Sequence, residues 1–395
     1  MTPTRGSLRL LRTTTFVSTV DRFAMPPMLV VMAGALDVPL AALVQTAGYY
    51  FLTYGLMQPV WGVVSDRLGR VRTLRLSLLF AGLASAASAL SVTIVQVGIT
   101  RALAGAFFAA AVPASLIYVG DTVPGQRRQT EIAGLMTGVA LGTAVASVGA
   151  GVLAQVASWR VTFAVSAAFA LVLVLVLRRL PEPDLDRPAE PLLAPAARVL
   201  RSGSTLILLL LVFVEGAVLL GGLTLLPAAV EHTGASTTLA GAVTAIYGVA
   251  VYVFARATGW ASRRWPAWRL IAVGAGAAAA GSALAAVSQR ASVAAVVAVL
   301  LGLGWAAMHS TLQTWATQVL PSARATVVSL FAGSLFAGSA VASALVAGPA
   351  GAGRFGLVWS FSASPRSPSR SGSRPPSRAP AGASPPSSGA PHDSA

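Results

Sequence analysis

Apolar stretches of about twenty residues follow one another along this chain, separated by short polar breaks. Wound as α-helix at ~1.5 Å per residue, such a stretch crosses the ~30 Å hydrocarbon core of a bilayer. The pattern predicts eleven crossings, at 14–36, 39–64, 73–92, 94–119, 131–156, 160–178, 204–230, 237–257, 269–288, 291–318 and 325–348. The runs are continuous and do not alternate, which excludes a membrane barrel of ~10-residue strands. The expected fold is therefore an all-α polytopic membrane protein. The first 15 residues are polar and basic, and the apolar run behind them shows no small-residue cleavage site, so it is expected to stay as the first span.

Composition agrees with the pattern. Of the 395 residues 55% are hydrophobic and 10% charged, with a mean hydropathy of +0.74; a water-soluble domain of this size needs more charge to cover its surface. The net charge of +16 invites a nucleic-acid partner, but its placement argues otherwise. With a cytoplasmic N-terminus, nineteen arginines fall in inside segments and only Arg160, Arg290 and Arg354 in outside ones. That is the positive-inside bias of a membrane protein whose cytoplasmic face meets anionic lipid, so no nucleic-acid partner is expected. The expected location is the bacterial cytoplasmic (inner) membrane. The chain has no cysteine, and His232, His309 and His392 lie far apart, so no metal ligand spacing and no cofactor site is expected. No G-x-S-x-G or H-E-x-x-H motif occurs, which argues against an enzyme.

Residues 62–72 read Gly-Val-Val-Ser-Asp-Arg-Leu-Gly-Arg-Val-Arg, a polar run between two apolar segments. The pattern G-x3-D-R-x-G-R-x-R resembles the loop between the second and third helices of major facilitator superfamily transporters. The resemblance implies two six-helix bundles that rock about a central site. The Pro- and charge-rich stretch 181–203 then links an N-terminal bundle, 1–180, to a C-terminal one, 204–361. The halves echo each other. Gly62, Ser65, Arg67 and Arg72 align with Gly259, Ser262, Arg264 and Arg269, and Gly105–Pro124 matches Gly302–Pro321 in spacing. Arg263 stands where the first half has Asp66. The twelfth span of the plan is truncated or replaced: apolarity begins at Phe355 and stops near 361. Residues 362–395 form a Ser/Pro/Arg/Ala/Gly tract expected to be disordered, either as a natural tail or as the product of a frameshift near codon 362.

Several polar groups fall inside predicted spans, where ionisable residues are costly and mark function by default. Asp21 and Arg22 lie in the first span just before Pro26-Pro27, Arg101 opens the fourth, Glu215 lies deep in the seventh and His309 in the tenth. These five are the candidate proton-coupling and substrate-cavity residues. Asp21-Arg22 reads either as a functional site or as a structural pair, and Glu215 either as a proton carrier or as a neutral carboxyl bonded to a neighbouring helix. His309 reads as a packing or pore-lining residue, and Glu231-His232 as a solvated outer loop. Arg101 needs a counter-ion from another helix, and Asp21 is the nearest candidate. The sequence R-x3-G at Arg101–Gly105 is similar to the fourth-helix motif of the superfamily's proton-driven antiporters. The resemblance also implies a conformational latch made of Gly62, Asp66, Arg67, Gly69, Arg70 and Asp121, in which Asp66 caps the start of the eleventh helix near Ala325 and Thr326 while Arg70 pairs with Asp121. The fifth span carries Gly134, Gly138, Gly142, Gly149 and Gly151 for close packing, but no proline of the antiporter type. The implied function is proton-coupled export of drug-like or other small molecules by a monomer in the lipid bilayer. The alternatives are proton-linked uptake of a sugar or metabolite, and a truncated remnant that transports nothing.

Overall fold

The computed structural model describes residues 5–183 and 194–363. The expected tail from 364 onward and residues 184–193 of the expected linker lie outside them. All eleven predicted spans are helices. We label them α1 (Gly6–Leu36), α2 (Leu40–Leu68), α3 (Arg70–Leu90), α4 (Ile94–Thr122), α5 (Gly125–Val156), α6 (Trp159–Val176), α7 (Gly203–Glu231), α8 (Thr237–Ala261), α9 (Ala267–Val287), α10 (Ala291–Ala316) and α11 (Arg324–Gly351). Ten of these are both long and apolar enough to cross a membrane. The exception is α2, whose 29 residues suffice in length but include Tyr49, Tyr50, Tyr54, Gln45 and Gln58. A short helix, Ala194–Leu200, precedes α7, and α12 (Phe355–Ala363) is the nine-residue start of a twelfth helix.

Local chemistry sets the breaks. Asp37 ends α1 in the left-handed conformation, at φ 52°. Thr93 and Gln96 cap α4 reciprocally: the Thr93 hydroxyl accepts from the Gln96 amide while the Gln96 side chain accepts from the backbone at 92 and 93. The hydroxyls of Ser158 and Ser236 cap α6 and α8. Within α1, Pro26 and Pro27 remove two backbone donors and convert one turn to a 3-10 turn, Pro26–Met28. That turn packs against α5, α7 and α8, so the break in α1 sits where the two halves of the molecule meet.

Helices α1–α6 pack chiefly on one another (α3 on α6, α2 on α4, α1 on α5), and so do α7–α12 (α8 on α10, α9 on α10, α7 on α11, α9 on α12). The halves join along two extensive seams, α2 on α11 and α5 on α8. Hydrocarbon gives apolar side chains no reason to prefer each other over lipid, so membrane helices associate where small residues admit a neighbour's backbone. In the α5–α8 seam, Gly241 lies against the backbone carbonyl of Ser147, and Gly248 faces Ala140 and Ala144. These contacts lie toward the end of the bundle where α5 finishes and α8 begins. At the opposite end, where the arginine-rich turns α2–α3 and α8–α9 lie, α5 and α8 part and line a cavity of about 910 Å³.

A side chain at Gly241 would intrude on the Ser147 carbonyl, whereas Gly149, also on α5, has open space around its Cα. Overpacking of this kind costs about 1–3 kcal/mol. Gly241→Val should therefore lower the melting temperature of the purified protein and Gly149→Val should leave it unchanged, as read by thermal unfolding in detergent.

Candidate functional site

Asp21 and Arg101 face each other inside the first half, both fully buried, with Arg101 Nη2 donating to Asp21 Oδ2 at 2.5 Å. Arg101 also donates to Asp21 Oδ1 and to its backbone carbonyl, both at 3.3 Å, and the Ser85 hydroxyl donates to Oδ1 at 2.8 Å. The Tyr50 and Phe163 rings flank the guanidinium with their centroids at 4.7 and 4.5 Å. One ion pair thus gathers α1, α2, α3, α4 and α6. It is buried away from the cavity, which separates Asp21 from its sequence neighbour. One residue on, a helix has turned by about 100°, and Arg22 lines the cavity. The guanidinium of Arg22 lies over the rings of Phe23 (4.9 Å), Tyr54 (5.1 Å) and Phe336 (5.6 Å).

Across the cavity, Glu215 of α7 is 1% exposed and His309 of α10 lines the wall. His309 Nδ1 stands 3.3 Å from Glu215 Oε1 and 3.4 Å from Oε2. Trp305 stacks on the imidazole at 3.9 Å between centroids, and Phe331 of α11 meets it at 5.4 Å. Both helices depart from α geometry here: Gly216–Leu220 and Trp305–His309 are π-helical turns. Such insertions are rare, and they concentrate at functional sites. Tyr247 of α8, Gln58 of α2 and Gln313 of α10 add polar groups to the wall. Sequence reasoning nominated Glu215 and His309 separately and missed their pairing, and it missed Tyr54, Trp305 and Tyr247 as wall residues.

The latch residues lie at the arginine-rich end. Arg70 Nε donates to Asp121 Oδ2 at 3.0 Å, and Nη1 donates to the Ser65 hydroxyl at 3.1 Å and to Asp66 Oδ1. Arg67 points outward. Asp66 departs from expectation: among the described residues it hydrogen-bonds Arg70 and not the start of α11. The reason is proximity, because Arg70 lies one helical turn from Asp66 across the bend at Gly69 while this end of the molecule holds the open cavity. A Cβ added at Gly62 would only just touch the Ser329 hydroxyl of α11, so this glycine is not needed for close approach here. The start of α3 is capped by a residue that sequence reasoning passed over as linker. Glu182 accepts from the amides of Val71 at 3.0 Å and Arg72 at 3.1 Å, placing a carboxylate at a helix N-terminus. Gly69, at φ 107°, leaves room for that carboxylate, which an added Cβ would strike. Glu231 is less solvated than expected, accepting from the Thr237 hydroxyl at 2.9 Å, whereas His232 is exposed as expected, its ring beside Phe355. A further ion pair, Arg12 to Glu131 at 2.7 Å, ties α1 to α5.

The family model of the Major Facilitator Superfamily matches residues 13–343. The chain belongs to the major facilitator superfamily. It is an integral membrane protein and a secondary active transporter, and not an enzyme. Solved structures share the fold at low identity. The nucleoside transporter NupG superposes with a TM-score of 0.75 at 15% identity, covering 90% of this chain and 96% of that one. A peptide transporter POT gives 0.75 at 17%, covering 92% and 94%. The xylose transporter XylE from E. coli, in its inward open conformation, gives 0.68 at 14%, covering 90% and 94%. No curated protein matches the sequence.

Removing one partner of a fully buried ion pair leaves the other charge uncompensated, at a cost of about 3–5 kcal/mol. Asp21→Asn should therefore destabilise the superfamily fold by that order, and Asp21→Asn combined with Arg101→Leu should recover part of the loss. Thermal unfolding of the single and double variants reads both outcomes; an unshifted single variant contradicts the structural role of the pair.

Proposed function

We propose that the protein is a proton-coupled exporter of drug-like or other amphipathic small molecules, working as a monomer by alternating access. The observation that carries this reading is the Glu215–His309 pair, whose imidazole lines the large cavity with the carboxylate buried behind it, beside two π-helical turns. A carboxyl and an imidazole in contact can take up or give up a proton, and doing so changes the charge that α7 and α10 hold between them. In the loaded carrier, starting from a carboxylate–imidazolium pair, a proton delivered to the Glu215 carboxylate neutralises it, weakens its hold on His309 and frees the two π-turn segments to shift. The arginine-rich end faces the cytoplasm by the positive-inside rule, so the cavity opens to the side from which an exporter loads. The antiporter-like motif Arg101–Gly105 supports the same direction, although in this fold Arg101 acts by holding the first half together. Arg70, Asp66 and Asp121 form the latch that re-engages α11 when the cytoplasmic end closes.

A second reading, proton-linked uptake of a polar metabolite, draws support from the amide and hydroxyl groups of Gln58, Gln313, Thr143 and Thr314 in the wall. Both readings need the protonatable pair and differ in the direction of coupling.

Glu215→Gln keeps the shape of the carboxyl and removes its titration. In everted membrane vesicles under an imposed pH gradient, dye uptake into the lumen by the wild type should fall at least tenfold in this variant, a loss of about 1.4 kcal/mol or more of coupling, while counterflow exchange persists. Unchanged proton-driven flux rejects the pair as the coupling site, and saturable inward transport of a metabolite by intact cells selects the second reading.

A further inference from the structure

Arg22 is a permanent cation placed at the seam between the two halves without a counter-ion. The guanidinium of arginine does not lose its proton at any physiological pH, so it cannot escape the cost of an apolar setting by discharging. The other charges set deep in the spans are answered: Arg101 has Asp21, and Glu215 has His309. Among the described residues, no carboxylate reaches Arg22 within ion-pair distance, and its single hydrogen bond runs from Nη2 to the Thr19 hydroxyl at 3.5 Å, the edge of the range. Its Nε has no acceptor, and neither does the hydroxyl of Tyr54 in the same wall. What surrounds the guanidinium is aromatic: Phe23 and Tyr54 from the first half and Phe336 from the second. Ring faces hold a guanidinium in place and add some attraction, but they do not neutralise its charge.

We propose that the missing counter-ion is the substrate, and that the carrier takes amphipathic organic monoanions, carboxylates attached to an aromatic or aliphatic body. This deepens the transport reading and rests on it. The charge count selects a monoanion. One unpaired cation neutralises one carboxylate, whereas a phosphate dianion would leave net charge in an apolar cavity. The imidazole of His309 is engaged by Glu215, which also keeps that carboxylate from a cationic substrate. The walls select an amphipathic molecule. The carboxylate meets the guanidinium fork, while Leu335, Val139 and Trp305 offer apolar surface to the body. Because Phe336 belongs to the second half, an anion bound at Arg22 sits on the seam and is sensed by both bundles as they rock.

Matched pairs that differ only in charge test the proposal: benzoate and benzamide, 2-naphthoate and 2-naphthamide, octanoate and octanamide. Their affinities are read by ligand-induced thermal stabilisation of the purified full-length carrier in detergent. At least one carboxylate should bind tenfold or more tightly than its amide. Arg22→Gln should bring that carboxylate down to the level of the amide and leave the amide unchanged, and Arg22→Lys should keep part of the preference. Equal binding across all pairs, no binding by any carboxylate, or a preference that survives in Arg22→Gln overturns the proposal. Should Arg22→Gln not yield folded protein, the wild-type pairs and Arg22→Lys decide by the same criteria. Proton-driven flux without anion preference sinks this proposal alone, whereas anion preference without flux sinks the transport reading alone.

Discussion

An ionised group in hydrocarbon is stable only if something neutralises or solvates it, and that constraint organises this molecule. Asp21 and Arg101 answer it by pairing in full burial, and in doing so they draw five of the first six helices to one point. Glu215 answers it by pairing with His309, whose ring lines the cavity. Arg22 answers it by facing the cavity itself. The first pair ties five helices of one half together, the second joins α7 to α10 beside two π-helical turns, and Arg22 leaves a charge facing the cavity.

The same economy governs how the halves touch. Small residues bring α5 and α8 into backbone contact at one end, and the seam opens at the other. The latch belongs to the open end. Arg70 holds Asp66 and Asp121 within the first half, and Glu182 caps α3 from the stretch that follows α6. With Asp66 turned to Arg70, no carboxylate of this cluster restrains the start of α11, which matches a cavity open on this side. The second half carries Arg263 in the place of Asp66, so only one half supplies the acid for such a latch.

The fold was legible because each span is an unbroken apolar run of the right length, and that signal needs no tertiary information. The candidate charges were legible for a related reason: an ionisable residue inside such a run stands out. Their partnerships were only partly so. Asp21 was the nearest candidate for Arg101, and the two meet. The pairing of Glu215 with His309, 94 residues apart, depends on how α7 and α10 cross and leaves no trace in local sequence. Adjacent in sequence, Asp21 and Arg22 read as one unit, yet helical rotation sends one into the bundle and the other into the cavity. Glu182 was hidden among prolines that announced only the end of α6. Asp66 was assigned to α11 by resemblance, and the nearer Arg70, one helical turn on, takes it instead.

The chain contains no cysteine, so a single introduced thiol reports its own accessibility without a background. Thr311 lies in the cavity wall on α10, and Thr311→Cys probed with a membrane-impermeant maleimide tests the central claim, a cavity that opens to one face at a time around a protonatable pair. The account predicts fast labelling from the arginine-rich face in everted vesicles, and slower labelling there with faster labelling from the opposite face when an imposed pH gradient drives the cycle. Labelling from one face that does not respond to the gradient, or that ignores it equally with Glu215 intact or replaced by Gln, would contradict it.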